Sequence, residues 1–199
     1  MKQFFSMHSY NMVKMFLNQF AIAIFGLVLA LAAGQADNAV LRNVTSLFSI
    51  LFYLFLLYVM TWELGFKDKV SVETGRKKRN PFTGALIALC ANSLNFLLAI
   101  FINLASVFNV EALSNIGGFC ATAAILLEGM YTGLLANHVG GAALNSYAFV
   151  YFLLPIPAIL TCGIGYQLGV HDIKFTSLFD HVYPESDREP SKRERRKHD

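Results

Sequence analysis

Five long apolar segments, separated by shorter polar stretches, run along this chain. Each is close to the roughly 20 residues that an α-helix needs to cross the hydrocarbon core of a bilayer. Their approximate bounds are 15–33, 44–61, 82–105, 117–136 and 147–168. The pattern predicts an all-α fold, a polytopic membrane helical bundle.

The first apolar segment invites a second interpretation, as a secretory signal. The tripeptide Ala30-Leu31-Ala32 fits a small-residue cleavage pattern. However, the apolar run is longer than the about 7–15 residues of a signal-peptide hydrophobic region. We therefore expect this segment to be retained as a membrane span.

The composition supports a membrane protein with one domain. Of the 199 residues, 55% are hydrophobic and 14% are aromatic. Between Thr83 and Val170 the formal charges are confined to Glu111 and Glu128, and a soluble protein of this size could not cover so much apolar surface. We expect a membrane domain at 1–169 and a charged, disordered tail at 170–199. The expected location is the cell membrane, most simply the cytoplasmic membrane of a bacterium.

The polar connection at 62–81 carries a basic cluster that determines the predicted orientation. Cytoplasmic loops of membrane proteins carry the excess of Lys and Arg, so we expect this connection to lie inside, against anionic lipid headgroups. The basic residues are Lys67, Lys69, Arg76, Lys77, Lys78 and Arg79. The net charge of +3 arises here and at the chain ends, and does not predict nucleic-acid binding, which needs a basic face on a folded domain.

The number of crossings is constrained by the charge of the carboxyl-terminal tail. If the amino terminus is inside and all five segments cross, the tail is outside, yet it is rich in Lys and Arg. The simplest solution is that segment 117–136, which contains Glu128 and several glycines, does not cross fully. We predict four full transmembrane helices plus one partial or re-entrant helix, with a cytoplasmic tail. Five full crossings are the alternative.

Glu128 is the most informative single residue, because a charged side chain at the centre of a bilayer costs about 2.5–3.5 kcal/mol on insertion scales. On a helix, residues three or four apart share a face. The face of Glu128 carries Gly117, Ala121, Ala124 and Thr132. The preceding segment has a comparable face, made of Ala88, Asn92, Asn95, Ala99 and Asn103. We predict that these two faces pack against each other.

Two interpretations of this polar intramembrane site remain open. In the first, Glu128, Asn92 and Asn95 bind a cation, a proton or a small polar solute, with Asn103 and Thr132 on the same faces. In the second, the same side chains hold helices together, with Glu128 uncharged. Asn18 and Gln19 in the first span either join this interior or lie near the membrane interface.

Helix packing is indicated by two pairs of glycines with the spacing GxxxG, which allows helices to approach closely. The pairs are Gly129 with Gly133 and Gly165 with Gly169. The three cysteines lie in apolar stretches without metal-binding spacing, so we expect reduced packing residues, no metal and no cofactor.

The sequence lacks the common catalytic and phosphate-binding motifs, so no enzyme activity is predicted. Its small-residue faces favour a non-enzymatic interaction or assembly component that packs against another membrane protein or a second copy of itself. The alternative is a small transporter or channel for a cation, proton or polar solute, with Glu128 and the Asn92/Asn95 face along the path.

Overall fold

The chain folds as a bundle of α-helices, and the computed structural model describes residues 2–36, 38–76, 80–108 and 110–173. The α-helices are α1 (Lys2–Gln35), α2 (Ala39–Glu73), α3 (Thr83–Ala91), α4 (Ser93–Phe108), α5 (Glu111–Leu127), α6 (Thr132–Leu135), α7 (Val150–Leu153) and α8 (Ile156–Val170). Two 3-10 turns (Gly129–Tyr131 and Leu144–Ser146) and a short hairpin of β1 (His138–Val139) and β2 (Ala142–Ala143) connect them. Lys77, Lys78, Arg79 and the tail from 174 to 199 lie outside the described residues.

Three helical stretches are long and apolar enough to cross a membrane, namely 4–35, 39–73 and 150–170. Two further apolar segments are bent, α3–α4 by 54° and α5–α6 by 86°. Counting each bent pair as one segment gives up to five spans. Large apolar side chains on the outer helix faces are exposed over a wider surface than soluble proteins tolerate. The chain therefore has an all-α fold with three to five apolar segments that fit a membrane protein.

The first two helices extend well beyond the apolar spans predicted from the sequence. α1 begins at Lys2 rather than near residue 15, and α2 ends at Glu73 rather than near Thr61. The connection predicted at 62–81 is consequently helical over its first half. The physical reason is packing, because Thr61, Gly65 and Asp68 continue the buried face of α2 at helical spacing.

The amino end of α1 and the carboxyl ends of α2 and α8 meet at one end of the bundle, called the basic end below. The indole N–H of Trp62 donates to the carbonyl of Ile173 at 2.7 Å, and Lys69 pairs with Asp172 at 3.5 Å. Residues of α1, of α2 and of the connection after α2 line a common pocket here: Met7, His8, Asn11, Leu64, Asp68, Ser71 and Arg76. The start of the tail and the start of the chain therefore lie beside the basic connection.

The segment 111–137 begins and ends at the opposite end of the bundle, called the distal end. Near its start, Gly117 lies against Ala105 in the last turns of α4. At its finish, the Asn137 amide donates to Asn43 at 2.8 Å, close to the start of α2. Between these two points α5 descends to Glu128, where the 86° bend turns the chain back.

Candidate functional site: a polar cluster around Glu128

Glu128 occupies the break between α5 and the 3-10 turn at Gly129–Tyr131, and its side chain is buried. Its backbone joins both elements, since its N–H donates to Ala124 at 2.8 Å and its carbonyl accepts from Tyr131 at 2.8 Å. The break is fixed by contact with α1. A Cβ atom on Gly129 would overlap the backbone carbonyl of Ala23, so only glycine allows this approach.

One oxygen of the Glu128 carboxyl group accepts hydrogen bonds from two different helices. Asn95 Nδ2, in α4, donates to Glu128 Oε1 at 2.6 Å, and Gln19 Nε2, in α1, donates to the same atom at 3.2 Å. Gln19 Nε2 also approaches the carbonyl of Leu127 at 3.4 Å. The carboxyl group thereby ties the turning point of α5–α6 to the middle of α1 and to α4.

Asn92 extends this network to the second break in the bundle, between α3 and α4. Its Oδ1 accepts from Asn95 Nδ2 at 3.0 Å, and its Nδ2 donates to the carbonyl of Ala88 at 2.9 Å. The side chain is fully buried. Consequently both bent segments meet at their breaks, joined through the Asn95 amide to Glu128.

The cluster is surrounded by buried polar atoms that have no hydrogen-bond partner among the described residues. The unpartnered atoms of the cluster are Gln19 Oε1, Asn95 Oδ1 and Tyr131 Oη, whereas the Tyr53 hydroxyl group lies against the Asn92 side chain. Tyr131 is the last residue of the 3-10 turn that follows Glu128, and Tyr53 belongs to the buried face of α2, the helix that packs against this turn. Unpaired polar atoms in a bundle interior cost free energy. Their concentration near one carboxyl group therefore indicates that a bound ion or molecule pairs with them.

The structure brings together three of the five polar residues predicted for the site, Glu128, Asn92 and Asn95. Asn103 lies elsewhere: its amide donates to the carbonyls of Ala99 and Ala148, each at 2.8 Å, and fastens α4 to the chain before α7. No contact between Thr132 and the carboxyl group of Glu128 is found among the described residues, although Thr132 lies in the first turn of α6.

The sequence analysis did not identify Tyr53 and Tyr131 as residues of the cluster. Tyr53 belongs to the buried face of α2 together with Ser49 and Leu57, which lie four residues before and after it. That spacing could have identified it as an interior residue. For Gln19, of the two positions left open by the sequence, the structure shows the interior one.

The four glycines predicted to pack helices all lie against backbone or side-chain atoms of neighbouring helices of the same chain. Cβ atoms at Gly129 and Gly133 would overlap atoms of α1 and α2, respectively. Cβ atoms at Gly165 and Gly169 would overlap Thr61 and the carbonyl of Trp62 in α2. The small-residue faces are thus occupied inside this fold.

Other candidate chemistry is sparse in the part of the chain that the structure describes. Within those residues, no three His, Cys, Asp or Glu side chains gather as they do in zinc and other transition-metal sites. Cys90 is half-buried, Cys120 and Cys162 are buried, and all three are free thiols. No protein-family model matches the chain, and comparison with curated proteins and with solved structures finds no match either.

Proposed function

We propose that this protein crosses the cell membrane four times and that residues 111–137 form a re-entrant segment entered from the distal side. The proposal is supported by the two contacts that place both ends of this segment at the distal end. It also brings the amino terminus and the start of the tail to the same side, which agrees with the basic character of both the connection and the tail.

In this arrangement the basic end faces the cytoplasm and contacts anionic lipid headgroups. Lys67, Lys69 and Arg76 lie there. The membrane of a bacterial cell, with its anionic inner leaflet, suits this orientation. A buried non-helical turn at membrane depth is acceptable because protein, not lipid, surrounds Glu128.

For the activity, we propose a small transporter or channel that passes a cation, a proton or a small polar solute through the Glu128 cluster. The observation that carries this proposal is a buried carboxyl group placed where two broken apolar segments meet. Broken membrane helices with polar groups at the break are the usual construction of transporter binding sites. An ionisable residue at membrane depth is expensive, so a function is the default explanation for it.

The small-residue faces support this choice over an assembly component. Their use as a docking surface was the sequence argument for an interaction protein. In the folded chain these faces pack against α1 and α2, so a partner would not find them free.

Flux measurements test the proposed activity. The full chain, reconstituted in vesicles, should transport at least one of Na⁺, K⁺, H⁺ or a small neutral solute above the rate of empty vesicles. A unit charge at 4 Å contributes about 4 kcal/mol at an effective dielectric constant near 20. Glu128→Gln should therefore lower a cation or proton flux more than about tenfold, which requires only about 1.4 kcal/mol.

The matched control is Glu111→Gln, which removes an exposed glutamate at the start of the same helix. Its flux should equal that of the unchanged protein. Absence of flux for every solute, or an equal cation or proton flux from the Glu128→Gln protein, would contradict the proposal.

A second candidate function, an assembly component of a membrane complex, is favoured by one feature. An open apolar groove of about 360 Å³ lies between α3 and α8. Its residues are Pro81, Phe82, Ala85, Ile159, Leu160, Gly163, Ile164, Gln167 and Leu168. A transmembrane helix of another protein could occupy it. This candidate predicts no flux and no effect of Glu128→Gln on the assembled complex.

A further inference from the structure

We infer that the Glu128 cluster binds a monovalent metal cation, of which Na⁺ is the reference case, directly through oxygen atoms of the protein. This inference rests on the proposed function, because it names the substrate class of the same site. The site comprises the carboxyl group of Glu128, the side-chain amides of Gln19 and Asn95, and the hydroxyl groups of Tyr53 and Tyr131.

The first argument is charge. The two groups that donate to Glu128 Oε1 are neutral amides, so neither balances a negative carboxylate. In a membrane interior an unbalanced charge is unfavourable by several kcal/mol. One positive charge at the cluster restores neutrality, and one carboxylate matches a monovalent ion better than a divalent one, whose sites gather several carboxylates.

The second argument is the type of atom that lacks a partner. The three unpartnered buried atoms of the cluster are all oxygens, two from amides and one from the hydroxyl group of Tyr131. Carboxylate, carbonyl and hydroxyl oxygens are the ligands of hard cations, whereas softer metals select thiolate or imidazole. A proton would use a single oxygen and leave the others unpaired, while a metal cation binds several at once.

The third argument is that each amide can change its role without moving its helix. At present Gln19 and Asn95 present nitrogen atoms to the carboxyl group. A half turn of either amide exchanges the positions of its nitrogen and oxygen atoms. The oxygen would then face a cation beside Glu128, and the phenols of Tyr53 and Tyr131 would complete its surroundings.

Cation protection of Glu128 from a hydrophobic carbodiimide tests the inference. The reagent attacks a carboxyl group that carries a proton, and a bound cation excludes that proton. The full chain in detergent is labelled in sodium chloride, potassium chloride or choline chloride at constant ionic strength, and labelling of Glu128 is measured by peptide mass spectrometry. At saturating concentration, Na⁺ or K⁺ should slow labelling at least about tenfold relative to choline, whereas labelling of Glu111 should not change.

A conservative variant separates ligation from a structural effect. Tyr53→Phe keeps the ring that fills the core and removes only the hydroxyl group. It should raise the half-protecting concentration of the cation by about tenfold, as loss of one supporting group commonly does at metal sites. Unchanged protection in this variant would remove Tyr53 from the site.

Thermal unfolding gives an independent readout, should Glu128 be poorly reached by the reagent. A ligand that binds the folded state raises its unfolding temperature. Na⁺ or K⁺ should therefore raise the unfolding temperature of the unchanged protein but not of Glu128→Gln, relative to choline. Labelling and unfolding that respond to pH but to neither metal cation would overturn the inference in favour of a proton alone.

These measurements need no transport. Protection without flux would retain the cation site and remove the transporter. Conversely, flux of a neutral solute without protection would retain transport and remove the cation.

Discussion

Replacing Glu128 by Leu should strongly destabilise the protein, whereas replacing it by Gln should leave the fold intact. Leucine removes the oxygen that accepts from Asn95 and Gln19, so Asn95 keeps only its bond to Asn92 Oδ1 and Gln19 only its long contact with the Leu127 carbonyl. A buried group that loses a hydrogen bond costs about 1–3 kcal/mol. Two such losses amount to about 2–6 kcal/mol, a large part of the stability of about 5–15 kcal/mol that is typical of proteins. Glutamine retains a carbonyl oxygen in the same position.

The measurement is the unfolding midpoint of the purified variants in a mild detergent, followed by circular dichroism. Glu111→Leu provides the control, since Glu111 is exposed and its replacement should shift the midpoint little. Equal damage from Gln and Leu at position 128 would show that the hydrogen bonds described here do not hold the cluster together.

Replacing Gly169 by Ala should destabilise the protein, although alanine is the better helix former. A Cβ at Gly169 would overlap the backbone carbonyl of Trp62, which cannot move without shifting α2. Overpacking of this kind costs about 1–3 kcal/mol. The same replacement at Gly163, one and a half turns earlier in α8, places the new Cβ at 3.5 Å from Ala85, an ordinary contact.

The two alanine variants are therefore expected to move in opposite directions. Gly163→Ala gains helix propensity of about 1 kcal/mol and should raise the unfolding temperature. Gly169→Ala should lower it, because α2 and α8 are forced apart. A shift of the same sign in both variants would contradict the close packing of these helices.

The sequence predicts the fold class and the meeting of two polar faces, because helical spacing and the cost of membrane burial act locally. It does not predict the bend at Asn92, since segment 82–105 contains no proline and reads as a continuous helix. The Asn92 side chain donates to the carbonyl of Ala88, the same acceptor that its own backbone N–H uses. A side chain that shares this acceptor competes with the helical hydrogen bond and can bend the helix. Whether the helix bends depends on contacts with distant residues, which the sequence does not show.

The length of α2 is not predicted from the sequence, for a different reason. Beyond Trp62 the exposed side chains are charged, so the average hydropathy falls and the stretch resembles a loop. The buried positions Gly65 and Asp68 continue the helix face, and Tyr166 donates a hydrogen bond to Asp68 at 2.8 Å. A partner helix makes these residues interior, and that partner is distant in the sequence.

The sequence likewise does not predict which helices the glycine faces contact. Spacing shows that Gly165 and Gly169 permit close contact but not with which helix. The contact is with α2, and this internal use is what favours a site-bearing protein over a docking module.

Labelling of single cysteines in intact cells tests most directly the central claim, that residues 111–137 re-enter the membrane and carry Glu128 to the middle of the bundle. Cys90, Cys120 and Cys162 are first replaced by Ala, and cysteine is then introduced singly at Arg76, Val110, Val139 or Ile173. We expect an impermeant maleimide to label the cysteines at 110 and 139 from outside, and those at 76 and 173 only after the membrane is opened. Labelling of 110 and 139 from opposite sides would show a full crossing and contradict the account.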